Sequence, residues 1–261
     1  MPTVYSQGLR FNYEEAGDGL PIVFVPSFSG SDHWFRYQLS SLSDRYRIIS
    51  VNLRRAGRRP RYTLELLLQD LAVFMGCLRV REAVIAGHGF GALVAAQFAV
   101  QYRQKCLGLV LSGAAPSFSA FSEEDILTHF APGEIKFEGF FARLWRSLTG
   151  GKPQTDEDTG PLAYLAQHRA GLDHATLQAR LKIMHRADLA PILADIGVPS
   201  LIIAGARDHE AILAGSQILE CEIPGSMLEV IEDADHFCFY TRHDIYNQII
   251  HDCIGRTVTR P

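Results

Sequence analysis

Residues 82–102 read EAVIAGHGFGALVAAQFAVQY, and this stretch decides the fold. The apolar run from Ala83 to Ala86 contains β-branched residues and predicts a short buried strand. Glycines at 87, 89 and 91 predict a tight turn directly after it. The alanine-rich segment that follows predicts a helix from Phe90 to Tyr102. A strand, a glycine-bracketed turn and a helix in this order are typical of a parallel sheet covered by helices.

The rest of the chain repeats this alternation of short strand-like runs with amphipathic helical stretches. It predicts an α/β fold with a mostly parallel, doubly wound sheet covered on both faces. Further predicted strands are Leu9–Glu15, Ile22–Val25, Arg47–Val51, Leu107–Ser112, Ser200–Ala204 and Met227–Ile231. Further predicted helices are Trp34–Leu42, Thr63–Leu78, Ala211–Glu220 and His243–Ile254, with Thr63 as an N-cap.

The turn at residues 87–91 resembles the nucleophile elbow, G-x-S-x-G, of the α/β-hydrolase superfamily. Gly87 and Gly91 match the two outer glycines, but Gly89 stands where the motif has its nucleophilic serine. Because glycine has no side chain, Gly89 cannot form an acyl-enzyme. The resemblance therefore implies a hydrolase fold with a vacant nucleophile position.

Two further segments resemble motifs of the same superfamily and also depart from them. Residues 23–34, VFVPSFSGSDHW, resemble the oxyanion loop, in which a His-Gly pair is usual and Pro26 and Ser27 stand here. Residues 49–59, ISVNLRRAGRR, resemble the segment D-x-R-G-x-G-x-S, with Asn52 for the aspartate and Arg55 for the first glycine. Three motifs therefore differ from the family pattern.

The C-terminal third fits the family pattern more closely. Residues 188–208, DLAPILADIGVPSLIIAGARD, resemble the strand that ends in the acid of the catalytic triad, which places that acid at Asp208. Residues 229–236, EVIEDADH, resemble the last strand and the loop of the catalytic histidine, His236. Histidine titrates near neutral pH, and a carboxylate on its other ring nitrogen fixes the tautomer. The pair is thus expected to act as a base even without a serine.

The resemblance also implies an oxyanion hole made of backbone N–H groups. The expected donors are Phe90, after the elbow, and Phe28 or Ser27 in the early loop. Since glycine at position 89 removes no backbone amide, these donors remain. His88, inside the elbow, is interpreted as a packed histidine next to the site.

The alternation of strands and helices stops near residue 117 and resumes near residue 188. An insertion of this size resembles the helical cap of α/β-hydrolases, so we predict a core of residues 1–116 and 187–261 and a cap of residues 117–186. Its aromatic residues either pack against the core or line a pocket: Phe130, Phe137, Phe140, Phe141, Trp145 and Tyr164.

Composition narrows the class of protein further. A net charge of -4 and 47% hydrophobic residues in 261 indicate a globular protein without general affinity for nucleic acid. The chain shows neither a signal peptide nor an apolar run of about 20 residues, so a cytoplasmic location without membrane contact is expected. The five cysteines and ten histidines lack metal-ligand spacing, and neither a metal nor another cofactor is predicted. A monomer or homodimer is expected.

A cluster of arginines follows the third predicted strand, at positions 54, 55, 58, 59 and 61. Such a cluster binds a phosphate or carboxylate in some proteins, but it is more often a solvated face. The solvated face is favoured here because the net charge is negative.

Three functions follow from these residues. The first is an enzyme in which His236 and Asp208 act as a general base on a small, largely apolar carbonyl-containing substrate. Its reaction would be that of a lyase, a cyclase or a cofactor-free oxygenase, or a direct attack by water. The second is a serine ester, thioester or lactone hydrolase whose serine has been changed to Gly89. The third is a non-catalytic ligand-binding protein that keeps the pocket. The presence of both Asp208 and His236 argues against this third function.

Overall fold

The computed structural model of the protein describes residues 2–6, 8–56, 62–130, 162–168 and 170–257. Eight strands in these ranges form one sheet, in the order β1-β2-β4-β3-β5-β6-β7-β8. Their bounds are β1 Thr3–Ser6, β2 Leu9–Ala16, β3 Leu20–Val25, β4 Tyr46–Val51, β5 Ala83–His88, β6 Cys106–Ser112, β7 Ser200–Gly205 and β8 Met227–Ile231.

Strands β3 to β8 are parallel to one another. The antiparallel pairs are β1 with β2 and β2 with β4. The register places Val25, the last residue of β3, opposite Gly87 of β5. In the same way His88 lies opposite Ser112 of β6. The carboxyl ends of the central strands therefore meet at one edge of the sheet, where open α/β sheets bind their ligands.

Helices cover both faces of the sheet. Those in the described residues are α1 Arg36–Leu42, α2 Leu64–Cys77, α3 Phe90–Gln101, α4 Glu123–Phe130, α5 Ala163–Gln167, α6 His174–Arg186, α7 Glu210–Glu222, α8 Cys238–Thr241 and α9 His243–Thr257. Buried residues of α2, α3 and α7 form one apolar cluster against the sheet, and those of α1 and α9 form a second one. This doubly wound, mostly parallel arrangement confirms the predicted fold class.

Every strand predicted from the sequence lies within an observed strand or differs from it by a few residues. The first strand was not predicted because its four residues carry no extended apolar run and pair only with the neighbouring β2. The helix predicted from Trp34 instead opens with a 3-10 turn over Asp32–Phe35 before α1. Thr63 caps α2 as predicted, since its hydroxyl accepts a hydrogen bond from the N–H of Leu66 at 3.3 Å.

The predicted cap lies between β6, which ends at Ser112, and β7, which begins at Ser200. Ser117 and Asp188 form an isolated antiparallel bridge, so the two ends of the insertion lie side by side. Within it the structure describes α4, α5 and α6, whereas Phe137, Phe140, Phe141 and Trp145 lie outside the described residues. The boundaries 117–186 stay a prediction. None of the described helices is both long and apolar enough to span a membrane.

Candidate active site

The turn between β5 and α3 has the backbone of a strained elbow. Gly89 lies at φ 53° and ψ -114°, in the left-handed half of backbone space that side chains disfavour. Close packing around it explains the two outer glycines. A Cβ on Gly91 would stand 2.1 Å from the carbonyl oxygen of Val25, and one on Gly87 would stand 2.3 Å from that of Gly91. The nearest neighbours of a Cβ at position 89 itself would be the side chains of Ser27 and His236.

The two predicted members of the base, Asp208 after β7 and His236 after β8, lie together. Nδ1 of His236 donates to Oδ2 of Asp208 at 2.9 Å and is 3.1 Å from Oδ1. The N–H of His209 also donates to Asp208 Oδ1, at 2.7 Å, which holds the carboxylate from the helix side. Both side chains are buried, with exposures of 7% for His236 and 1% for Asp208. Since a carboxylate only accepts, the proton sits on Nδ1 and Nε2 carries the free lone pair.

That Nε2 atom faces the elbow. It lies 3.7 Å from the point where a Cβ on Gly89 would stand. It is buried and has no hydrogen-bond partner within the described ranges. The ring of Phe130, at the end of α4, lies 4.6 Å from the imidazole and covers it. Phe130 is thus the predicted cap aromatic, among those that the structure describes, whose ring packs against this imidazole.

The proposed oxyanion donors come from two elements. Phe90 is the first residue of α3, so its N–H has no carbonyl partner inside the helix. Phe28 is fully buried in the loop after β3, and its ring meets that of Phe90 edge-on at 6.4 Å. Ser27, one residue earlier, turns its hydroxyl towards position 89, 2.4 Å from the Cβ point of Gly89. The sequence-predicted residues of the site therefore gather around one small space.

Comparison with known proteins decides the family. Residues 22–249 match the model described as "Alpha/beta hydrolase family". The chain belongs to the alpha/beta hydrolase family. Among curated relatives of this hydrolase, Epoxide hydrolase 3 of Xenopus tropicalis is 27% identical over 284 residues, covering 94% of this chain and 74% of that protein. Pimeloyl-(acyl-carrier protein) methyl ester esterase of Aeromonas hydrophila is 24% identical over 260 residues, covering 95% of this chain and 100% of that protein.

Solved structures of the alpha/beta hydrolase family share its fold. The crystal structure of the enol-lactonase from Burkholderia xenovorans matches with a TM-score of 0.78 and 23% identity. The match covers 98% of this chain and 100% of that one. At this level of identity the likeness supports the fold alone.

His88 lies beneath the dyad of this hydrolase, as a packed histidine. Its ring is 4.7 Å from that of His236, and its Nδ1 is 3.1 Å from the hydroxyl of Ser112. Burial, and then the nearby positive charge on a protonated His236, lower the pKa of His88 well below its usual value. His88 therefore stays neutral and does not compete with His236 for a proton.

The lowered pKa of His88 predicts a loss of stability in acid. In the unfolded chain the imidazole binds a proton below about pH 6.5, while the folded protein still excludes it, so unfolding takes up a proton. The free energy of unfolding should fall as the pH drops below about 6.5, with His88 contributing up to about 1.4 kcal/mol per pH unit. Denaturant titrations at several pH values measure this slope. The variant His88→Gln should have a shallower slope, and equal slopes would contradict the assignment.

The sequence did not point to Arg180 of α6, which is fully buried in this hydrolase. Its guanidinium donates to the carbonyl of Phe28 at 2.5 Å and to that of Leu53 at 3.4 Å. It also lies 5.7 Å from the centre of the Phe90 ring. Arg180 thus ties the insertion to both proposed oxyanion segments. The sequence around this arginine is polar and does not indicate that the side chain is buried, so only the tertiary structure reveals this contact.

The arginine cluster of this hydrolase is partly accounted for by contacts within the protein. Arg54 forms a two-armed ion pair with Asp70 of α2. Arg55 donates to the carbonyl of Ala170 at 2.6 Å. The other three arginines lie outside the described residues. Among the residues that are described, no group of three histidine, cysteine or acidic side chains stands close enough to hold a metal ion.

Proposed function

We propose that this protein is an enzyme in which His236 and Asp208 act as a general base on a small, largely apolar carbonyl-containing substrate. No serine at position 89 takes part in this mechanism. The observation that carries the proposal is the dyad itself. Asp208 orients an imidazole whose free nitrogen lies 3.7 Å from the Cβ point of the elbow, where Gly89 supplies no side chain.

The geometry around the elbow supports attack on a carbonyl. A carbonyl oxygen placed between the N–H groups of Phe90 and of Phe28 or Ser27 would be polarised by them, and one such donor contributes about 3 kcal/mol to a transition state. His236 would remove the proton of the attacking group, and Asp208 would stabilise the imidazolium that forms. No covalent intermediate with the protein is needed.

Among the reactions open to such a base, direct attack by water is favoured. The relatives named above are an epoxide hydrolase, a methyl ester esterase and an enol-lactonase, and each name denotes hydrolysis. A largely apolar molecule fits beside the imidazole because the buried ring of Phe130 lies 4.6 Å from that of His236. We therefore propose a small ester, lactone or related carbonyl compound as the substrate.

Pre-steady-state kinetics test the proposal with a defined probe. Wild-type protein mixed rapidly with p-nitrophenyl acetate should release p-nitrophenolate linearly from the start, because no acyl-enzyme accumulates. A fluorophosphonate that modifies active-site serines should leave the protein unlabelled. A burst equal to the enzyme concentration, or a label on any serine, would contradict base catalysis without a nucleophile.

The second candidate function is a serine hydrolase that has lost its nucleophile. One observation favours it, since Gly89 keeps the strained φ of 53° and ψ of -114° that the motif imposes on a serine. A side chain at position 89 would meet Ser27 Oγ at 2.4 Å, so the hydroxyl of Ser27 would have to rotate away to admit it. The two candidates differ in what restoring the serine should do.

The variant Gly89→Ser separates the two candidates. If our proposal holds, the new side chain takes the space between Ser27 and His236, and turnover falls on the order of 10²-fold. The strained φ should also lower the free energy of unfolding by about 1–3 kcal/mol. Stopped-flow kinetics with p-nitrophenyl acetate and denaturant titrations measure both. The double variant Ser27→Gly with Gly89→Ser removes the steric conflict and serves as the control. A burst with raised turnover in the single variant would support the second candidate.

A further inference from the structure

Two positions of this chain exchange the residue types that the family motifs place there. The elbow carries Gly89 where the motif has serine, and the oxyanion loop carries Ser27 where the motif has the glycine of its His-Gly pair. The fold puts these positions against each other. A Cβ built on Gly89 would lie 2.4 Å from Ser27 Oγ and 3.3 Å from Ser27 Cβ. The side chain of Ser27 therefore fills the volume that a serine at the elbow would need.

The hydroxyl of Ser27 is buried and has no hydrogen-bond partner within the described ranges. Nε2 of His236 is also buried and also has no hydrogen-bond partner within these ranges. Both atoms border one point, the Cβ position of Gly89, at 2.4 Å and 3.7 Å. A buried polar group without a partner is unfavourable, so native proteins hold few of them. Two such groups around one small space indicate that they share a bound polar atom.

Two hydrogen bonds hold the main chain at Ser27 and at the residue after it. Its carbonyl accepts a hydrogen bond from the N–H of Gly30 at 3.0 Å. The next carbonyl, that of Phe28, accepts from the buried guanidinium of Arg180. With the backbone fixed in this way, the hydroxyl of Ser27 moves only by rotation about its own Cα–Cβ bond. The loop therefore presents one hydroxyl at a defined place beside the imidazole.

We infer that Ser27 is a catalytic residue whose hydroxyl, together with Nε2 of His236, binds the water molecule that attacks the substrate carbonyl. This inference rests on the proposed function and assigns to the serine side chain a part that the family motifs do not contain. The space is polar at two points, as a buried water requires.

The reaction step balances without a co-reactant other than water. The water donates one O–H to Nε2 of His236 and the other to Oγ of Ser27, which leaves a lone pair directed at the carbonyl carbon. As the new C–O bond forms, the first proton passes to Nε2 and the carbonyl π electrons move to its oxygen. Collapse of this tetrahedral species breaks the bond to the leaving group, which takes the proton from Nε2. Ser27 is unchanged throughout.

A crystal structure of the wild-type protein tests the water site without any substrate. At a resolution that shows ordered water, we expect one water molecule within hydrogen-bond distance of both Ser27 Oγ and His236 Nε2. In the variant Ser27→Ala this water should be lost or poorly ordered. Wild-type density without a water between these two atoms, or with the Ser27 hydroxyl bonded directly to the imidazole, would overturn the inference.

Kinetics of the same variant test the role in the reaction. Ser27→Ala should lower kcat for p-nitrophenyl acetate on the order of 10²-fold at unchanged KM, because the water is no longer aligned. The variant Ser50→Ala is the matched control. Ser50 lies in β4 and is likewise fully buried, and its hydroxyl has no partner among the residues that the structure describes. The same change there should leave kcat unaltered.

The outcomes separate this inference from the proposed function. If His236→Ala abolishes turnover but Ser27→Ala does not change it, the base is right and the role of Ser27 is wrong. If neither variant changes turnover, the proposed function fails as well. A fluorophosphonate adduct located on Ser27 by mass spectrometry would also overturn the inference, since it would make this serine a nucleophile.

Discussion

Replacing His236 with alanine is expected to lower turnover on the order of 10²- to 10⁴-fold, the range that general base catalysis contributes. The reason is geometric. Nε2 of His236 is the ring nitrogen nearest the Cβ point of Gly89 among the described residues, and Asp208 holds the imidazole there through a bond of 2.9 Å. Steady-state rates with p-nitrophenyl acetate and with a panel of small lactones measure the effect.

Two further variants make the His236 result specific. Asp208→Asn should lower the rate strongly too, because an amide can donate to Nδ1 and so favour the wrong tautomer of the imidazole. His174→Ala is the control, since His174 lies exposed at the start of α6. Circular dichroism should show the same fold for all three. Undiminished turnover in His236→Ala would remove the base from the mechanism.

The fold was predictable because its decisive signals are local. A strand that is buried on both faces has an uninterrupted apolar sequence, and three glycines indicate the turn at residues 87–91. The helix after this turn was marked by its alanine-rich composition, and the other predicted helices by their apolar spacing. The short strand β1 was missed because it is an edge strand whose residues are half exposed, so no apolar run marks it.

The candidate site was predictable only in part. Asp208 and His236 each follow a strand, so their positions in the chain place them at the same edge of the sheet. The packing of Ser27 against Gly89 joins residues 62 positions apart, and neither position alone predicts the other. The same holds for Arg180 and the carbonyl of Phe28. Long-range contacts of this kind depend on the whole fold, and no local pattern in a single sequence predicts them.

Gly113 is a further example, because nothing in the sequence separates it from an ordinary loop glycine. It follows β6 at φ 54°, beneath both histidines of the site. A Cβ there would stand 2.6 Å from Cε1 of His236 and 2.7 Å from Cε1 of His88. Neither ring can retreat freely, since Asp208 holds the first and Ser112 the second. The absence of a side chain at this position is therefore part of what positions the imidazole of His236.

Gly113→Ala should consequently disable the site without removing any of its functional groups. We expect turnover to fall on the order of 10²-fold as the imidazole of His236 is pushed away from the elbow. The free energy of unfolding should fall by about 1–3 kcal/mol from the strained φ alone, and by more if the rings resist. Rates with p-nitrophenyl acetate and denaturant titrations measure the two effects separately.

The matched control for Gly113→Ala is Gly225→Ala, in the turn before β8. Gly225 has a comparable φ of 68°, but a Cβ there would meet nothing within 4 Å. The variant Gly225→Ala should therefore have a lower free energy of unfolding because of its strained φ, and it should keep full activity. If both variants lost stability equally and both kept their turnover, contact with Gly113 would not position His236, and the imidazole would have to be held by Asp208 alone. A loss of turnover confined to Gly113→Ala would show that the base works only where the two rings and this glycine pack together.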